Sequence, residues 1–154
     1  MFHIILHEPQ IPGNAGNVIR LCANTGCRLH LVQPIGFTLE ESRVRRAGLD
    51  YHELARVTIH ASLAACLAAI RTRALYCIET NGAQPYSAAR FRAGDALLFG
   101  KETSGLPPEV LAHGEVAGRL AIPMRPGNRS LNLSNAVAVV VYEALRQNEF
   151  RAED

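Results

Sequence analysis

No stretch of this 154-residue chain is apolar for long enough to cross a bilayer. The longest wholly apolar run, Ala136 to Tyr142, falls far short of the roughly 20 residues a spanning helix needs. No basic segment precedes the short apolar run after Met1, so the start does not read as a secretory signal, and a cytoplasmic location is expected. Cys22, Cys27, Cys66 and Cys77 include no Cys-x-x-Cys pair. The six histidines show no helical His-x-x-x-His spacing; His3 and His7 stand four apart but flank a strand-like run. Reduced thiols and no metal are therefore expected. Lysine is nearly missing too: Lys101 is the single lysine among sixteen basic residues, in a chain of formal charge only +2. Planar guanidinium groups suit phosphate oxygens better than ammonium groups do, so an arginine surface is compatible with RNA, although codon bias would give the same composition.

What is present is material for one compact interior. With 48% hydrophobic and 19% charged residues, the chain is neither disordered nor collagen-like. Its length fits a single domain over residues 1–154, since chains of about 100 to 200 residues usually share one core. Short apolar runs alternate with helical patterns, which predicts an α/β fold with a mainly parallel sheet flanked by helices. Strands are expected at Phe2–Leu6, Leu29–Val32, Arg56–Ile59, Leu75–Ile78, Ala96–Phe99 and Leu120–Ile122. Helices are expected near Ala15–Asn24, Leu39–Ala47, Ser62–Ile70 and Pro108–Ala112, with a long final one from Leu133 to Gln147. That last helix is apolar on nearly every side across AVAVVVY, so one flank should pack on the sheet and another on a second subunit.

Two standard nucleotide fingerprints fail. The loop after the first strand supplies Gly13 and Gly16 only, not Gly-x-Gly-x-x-Gly, and around Lys101 the P-loop pattern breaks at Asp95 and Glu102. Three other segments look chemical, each in a loop beyond the carboxyl end of a strand, where α/β proteins bind ligands. In PGNAGNVIR, Pro12 to Arg20, Asn14 reads as a helix N-cap, and Arg20 has the reach for a phosphate or ribose. In LLFGKETSGLP, Leu97 to Pro107, Gly100 would let a flat ligand approach the strand end, and Glu102 places a carboxylate at the same rim. In IPMRPGNRSLNLSNAVAVVVYEAL, Ile122 to Leu145, four polar residues (Ser130, Asn132, Ser134 and Asn135) crowd a helix start that needs one cap.

Taken together, N-x-G-N-x-x-R, F-G-x-E-x-x-G-L-P and I-P-M…N-R-S-L-N-L-S-N-A-V-A-V…Y-E resemble, in order and context, the three motifs of the SPOUT superfamily of RNA methyltransferases. The LCANTG segment at Leu21–Gly26 and RRAGLDYHE at Arg45–Glu53 bring the likeness nearest to the members that methylate the ribose 2'-oxygen of the tRNA wobble nucleotide, cytidine or uridine 34. The resemblance implies a SPOUT fold with a deep C-terminal trefoil knot, S-adenosyl-L-methionine as cofactor, and a homodimer that completes each active site on the anticodon stem-loop of tRNA. It places cofactor contacts at Ile78, Gly100, Ile122, Ser130 and Leu131, with Thr80, Met124 and Tyr142 as further lining candidates.

In the reaction so implied, Arg20, Glu102, Ser130 and Asn132 would form the catalytic group. Holding an arginine neutral near pH 7 would require roughly 7 kcal/mol, at 1.36 kcal/mol per unit below a pKa above 12. Arg20 is therefore expected to bind the RNA phosphate and the 2'-oxygen while a phosphate, a water molecule or Glu102 takes the proton. Ser130 and Asn132 would orient the ribose and the loop. Beyond the active site, Asn14, Arg20, Arg43, Arg45 and Arg46 are the expected RNA contacts, the last three forming a basic group beside Tyr51 and His52. Ser104 departs from the family, where arginine is frequent, which removes one contact to RNA. Alternatives from the same residues are an enzyme acting on another RNA ribose, a non-catalytic dimeric RNA-binding module, and a flavodoxin-like binder that would leave the third motif without a role.

Overall fold

Seven parallel strands form the spine of the molecule, and the two-residue period of their side chains decides what packs on each side. The computed structural model describes residues 1–39, 51–54 and 56–151. Its strands are β1 (His3–His7), β2 (Arg28–Val32), β3 (Val57–His60), β4 (Leu75–Ile78), β5 (Gln84–Pro85), β6 (Ala96–Phe99) and β7 (Val116–Ala121), in the order β3-β2-β1-β6-β4-β7-β5. Every pairing between these strands is parallel. Ile4, Leu6, Leu29, Leu31 and Leu97 share one face with helices α1 (Pro12–Thr25) and α5 (Leu133–Gln147). Ile5, Val32, Cys77 and Leu98 share the other with α3 (Leu63–Ile70) and α4 (Pro108–Leu111). The central strands are thus buried on both faces, which is why they read as continuous apolar runs. A short helix, α2 (Tyr51–Leu54), precedes β3.

The expected strands at Leu75–Ile78 and Ala96–Phe99 and the helix at Leu133–Gln147 have those bounds in the structure. β1, β2, β3, α3 and α4 shift by one residue at one or both ends, α2 has no counterpart among the expected helices, and three further differences have a physical reason. β7 begins at Val116 rather than Leu120, because its first half alternates half-buried and exposed residues around Gly118 and is held by backbone pairing to β4, not by an apolar run. β5 consists of two exposed residues at the sheet edge, where a proline is tolerated. And α1 starts at Pro12 with Ile11 in the capping position and no side-chain cap, so Asn14 lies inside the first turn instead of capping it. Proline fits that start because its ring presets the helical φ and it has no N–H to leave unpaired. The expected helix at Leu39–Ala47 falls beyond Leu39 outside the described residues, as do Arg43, Arg45 and Arg46. Among the described residues, no helix is long and apolar enough to cross a membrane.

α5 is covered on one flank only. Val137, Val140, Val141 and Ala144 are fully buried against the sheet and α1, whereas Val139 and Tyr142 on the opposite side are 37% and 49% exposed.

Candidate functional site

The carboxyl ends of β4, β6 and β7 open into three loops, residues 78–81, 99–106 and 122–133, that enclose a cleft of about 620 Å³. Two close backbone approaches shape it. A Cβ on Gly100 would lie 2.1 Å from the carbonyl carbon of Gly105, and one on Gly82 would lie 2.3 Å from that of Leu120. Gly100 therefore serves the tight fold of its own loop: the space where a side chain would stand is filled by residues 105 and 106, not by room for a ligand over that Cα. The positive φ of Gly105, +68°, lets the same loop turn back.

A chain of hydrogen bonds joins the three sequence segments beside this cleft. The Glu102 carboxylate accepts the backbone N–H of Gln10 at 2.9 Å and of Ile11 at 3.0 Å, and the Asn14 side-chain amide at 3.4 Å. It thus supplies from the second segment the cap that α1 lacks in its own sequence, and its charge is favourable at that helix N-terminus. Asn14 Oδ1 in turn accepts from Asn132 Nδ2 at 3.0 Å. Asn132 caps α5, its Oδ1 accepting from Ser134 N at 3.0 Å, from Asn135 N at 3.4 Å and from the Ser134 hydroxyl at 2.6 Å. Asn17 Nδ2 closes the circuit onto Ser134 Oγ at 3.4 Å. The four polar groups at the start of α5 divide as follows: Asn132 caps, Ser134 extends the network, Ser130 is left exposed in the cleft, and Asn135 is exposed outside it.

The cleft brings together Ile78, Gly100, Ile122, Ser130 and Leu131, as well as Glu102, Asn132 and Asn14. Leu131 is 42% exposed there, and with Ile78 and Ile122 it offers an apolar slot rimmed by backbone and polar groups. The volume and the mixed lining suit a nucleoside-sized cofactor. Thr80 and Met124 also line the cleft, whereas Tyr142 and Arg20 do not. Arg20 lies on the exposed stripe of α1, its Nε 3.2 Å from a Glu53 carboxylate oxygen. A half-exposed pair of this kind contributes at most about 1 kcal/mol, so the guanidinium can be recruited by a phosphate at small cost. Cys77, beside Ile78, offers no nucleophile, because burial pushes its thiol up to about 11.

Two cleft residues, Glu79 and Asn81, have no signal in the sequence, and a third, Arg129, is visible only as part of the third segment. Glu79 accepts from Arg119 Nη2 at 2.7 Å and Nε at 3.0 Å, a pairing set by the register of β4 on β7. Asn81 and Arg129 complete the rim.

Residues 1–142 match the SpoU rRNA Methylase family. A tRNA (cytidine(34)-2'-O)-methyltransferase of Methylovorus glucosotrophus (strain SIP3-4) is 51% identical over 150 residues, which is 97% of this chain and 97% of that protein. A solved structure concerning the 2-OH methylation of C/U34 on tRNA superposes with a TM-score of 0.89 at 47% identity, covering 98% of each chain. The SpoU methyltransferase AviRb from Streptomyces viridochromogenes, in complex with AdoMet, gives a TM-score of 0.84 over 96% of this chain and 60% of its own; at 23% identity that likeness concerns the fold alone.

Proposed function

The chain belongs to the SpoU rRNA methylase family, and from that membership and the geometry of its cleft we propose that it transfers the methyl group of S-adenosyl-L-methionine to the ribose 2'-oxygen of nucleotide 34 of tRNA. The observation that carries this reading is the convergence of three distant sequence segments on one cleft through the Glu102–Asn14–Asn132–Ser134 network.

When bound, the cofactor supplies an activated methyl group on a sulfonium, so the protein has to align three atoms in line and dispose of one proton. Ile78, Ile122 and Leu131, with the backbone of the loop at Gly100, would hold the cofactor's adenine. Ser130, exposed in the cleft, would hydrogen-bond the ribose. Asn132 is a positioning residue: with both ends of its amide engaged, it fixes the start of α5 against Asn14. Glu102 is a positioning residue as well. Both its oxygens hold α1, so the proton of the 2'-hydroxyl goes to a substrate phosphate or to water. Arg20 binds the nucleophile's phosphate and polarises the 2'-oxygen.

Arg20 stands outside the cleft of its own chain, and the exposed flank of α5 carries Val139 and Tyr142. Both fit a homodimer in which Arg20 of one subunit serves the cleft of the other. A knotted C-terminal region is part of the same proposal and rests on the family membership alone. Asn14 acts within the network more than on RNA, and Arg43, Arg45 and Arg46 remain the candidate grip on the anticodon stem-loop. A tRNA substrate places the enzyme in the cytoplasm.

The decisive experiment incubates the pure protein with methyl-labelled S-adenosyl-L-methionine and total tRNA and maps the label. Label on the 2'-oxygen of nucleotide 34 is the expected result. Label at another nucleotide would redirect the substrate assignment, and tRNA binding without any transfer would leave only a binding module.

A further inference from the structure

The second face of the sheet carries a side-chain cluster that methyl transfer does not use. His3, His30 and His60 stand on the adjacent strands β1, β2 and β3. The register pairs His3 with Arg28 and His30 with Thr58, so each histidine lies two residues further along its strand than the one before. By the two-residue period of a strand, all three then point to one face. Their rings form a row: His3 Nδ1 is 3.0 Å from His30 Nε2, and His30 Nδ1 is 2.9 Å from His60 Nε2. Helix α3 packs over this face and brings the buried Cys66 onto the row. One nitrogen of His30, one of His60 and Cys66 Sγ all lie within 4.8 Å of one another. Spacing along the sequence had given no hint of a metal, because the three residues come from three elements and meet only through strand register.

The geometry points to a transition-metal site of two imidazoles and one thiolate, His30, His60 and Cys66, that takes Zn²⁺. Nitrogen and sulfur donors suit this borderline ion and exclude oxygen-seeking ions such as Mg²⁺. Two ligands at 2.0–2.1 Å from a tetrahedral zinc are roughly 3.3 Å apart, so the facing nitrogens of His30 and His60 need to separate by only a few tenths of an ångström, and the sulfur has to move inward by roughly one. His3 supplies the outer support, its Nδ1 3.0 Å from His30 Nε2: in the tautomer where His30 donates this bond, His30 Nδ1 has a free lone pair for the ion. His60 presents Nε2 and keeps its proton on Nδ1. Cys66 gives its thiol proton to solvent as the sulfur–metal bond forms, so the occupied site carries one net positive charge. A fourth position stays open for water.

None of these residues lines the methyl-transfer cleft, so the two readings stand or fall separately. The test titrates the metal-free, full-length protein with Co²⁺ and then displaces it with Zn²⁺. Uptake of about one equivalent of Co²⁺, with a thiolate-to-cobalt charge-transfer band and tetrahedral d–d absorption that Zn²⁺ bleaches, is expected. Cys66→Ser leaves the histidine row intact and should abolish the band and weaken Co²⁺ by at least roughly tenfold. His3→Gln should keep the band and weaken binding roughly 10- to 100-fold, as the loss of an outer-shell partner does. No charge-transfer band in the parent protein, or one that survives Cys66→Ser, overturns the proposal. So does unchanged affinity in His60→Ala. Methyl transfer by Cys66→Ser, at the parent rate, reports that this variant is folded.

Discussion

Glu102 holds two backbone amides and one side-chain amide across 92 residues of sequence, and that engagement separates two roles a carboxylate in this cleft could have. As a clamp, it acts through the position of α1. In Glu102→Gln only one oxygen remains for two backbone donors, and the charge at the helix N-terminus is gone. Charge-assisted hydrogen bonds contribute about 1.5–3 kcal/mol each, so kcat/KM should fall roughly 10- to 100-fold while the acid limb of the pH–rate profile keeps its position. A limb that disappears in the variant would make Glu102 the proton acceptor after all. A second carboxylate, Asp95, is fully buried at the start of β6; its Oδ2 accepts from Arg92 N at 2.8 Å, while its Oδ1 has no hydrogen-bond partner among the described residues and lies 3.8 Å from Arg73 Nε. Burial raises its pKa. The folded state therefore holds the proton more tightly than the unfolded chain, and Asp95 contributes a stability that is present in acid and lost as pH rises through its titration. Asp95→Asn keeps the acceptor for Arg92 and removes the charge. Its unfolding free energy, from urea titrations at pH 4 and pH 7, should gain on the parent as pH rises; a difference that is flat with pH would mean Asp95 titrates normally.

Elements whose burial is local could be read from the sequence, and those held by distant partners could not. Leu75–Ile78, Ala96–Phe99 and Leu133–Gln147 coincide with their expected bounds because continuous apolar runs and a cap-rich helix start are properties of the segment itself. β5 and the first half of β7 are defined by pairing at the sheet edge, and two exposed residues such as Gln84 and Pro85 leave no periodic trace. The same contrast divides the site. Asn132 was legible among the capping candidates of α5, whereas Asn14 was misassigned as a cap because the true acceptor, Glu102, comes from another loop. Arg20, Ser130 and Gly100 were legible as types, but neither the exclusion of Arg20 from its own cleft nor the crowding at Gly100 has a sequence signal. Asn132→Ala tests how much of this rests on one cap. It removes the acceptor for Ser134 N and Asn135 N and frees Asn14, and a lost N-cap costs about 0.5–2 kcal/mol. Chemical denaturation should show a loss in that range or somewhat above it, with the excess reporting the broken bond to Asn14.

For the whole molecule, complementation tests the proposed homodimer in which Arg20 of one subunit serves the cleft of the other. Arg20→Ala has an intact cleft; Gly100→Ala has an intact arginine but a Cβ forced onto Gly105. Each variant alone should be inactive. If the proposed dimer forms, co-expression gives mixed dimers in which the arginine of one subunit meets the sound cleft of the other, and roughly a quarter of the sites should regain methyl transfer when subunits pair at random. An arginine serving its own cleft would leave the mixture as dead as its parents, which would remove the crossed arrangement. The clamp from Glu102 to the first helix also constrains how the chain is made. Glu102, the acceptor for Gln10 and Ile11, is made 92 residues after Gln10, and β1 waits about as long for β6, its neighbour on the side away from β2. The emerging amino-terminal part therefore leaves the ribosome with its first turn unfinished and one edge of β1 without its partner until the later part arrives.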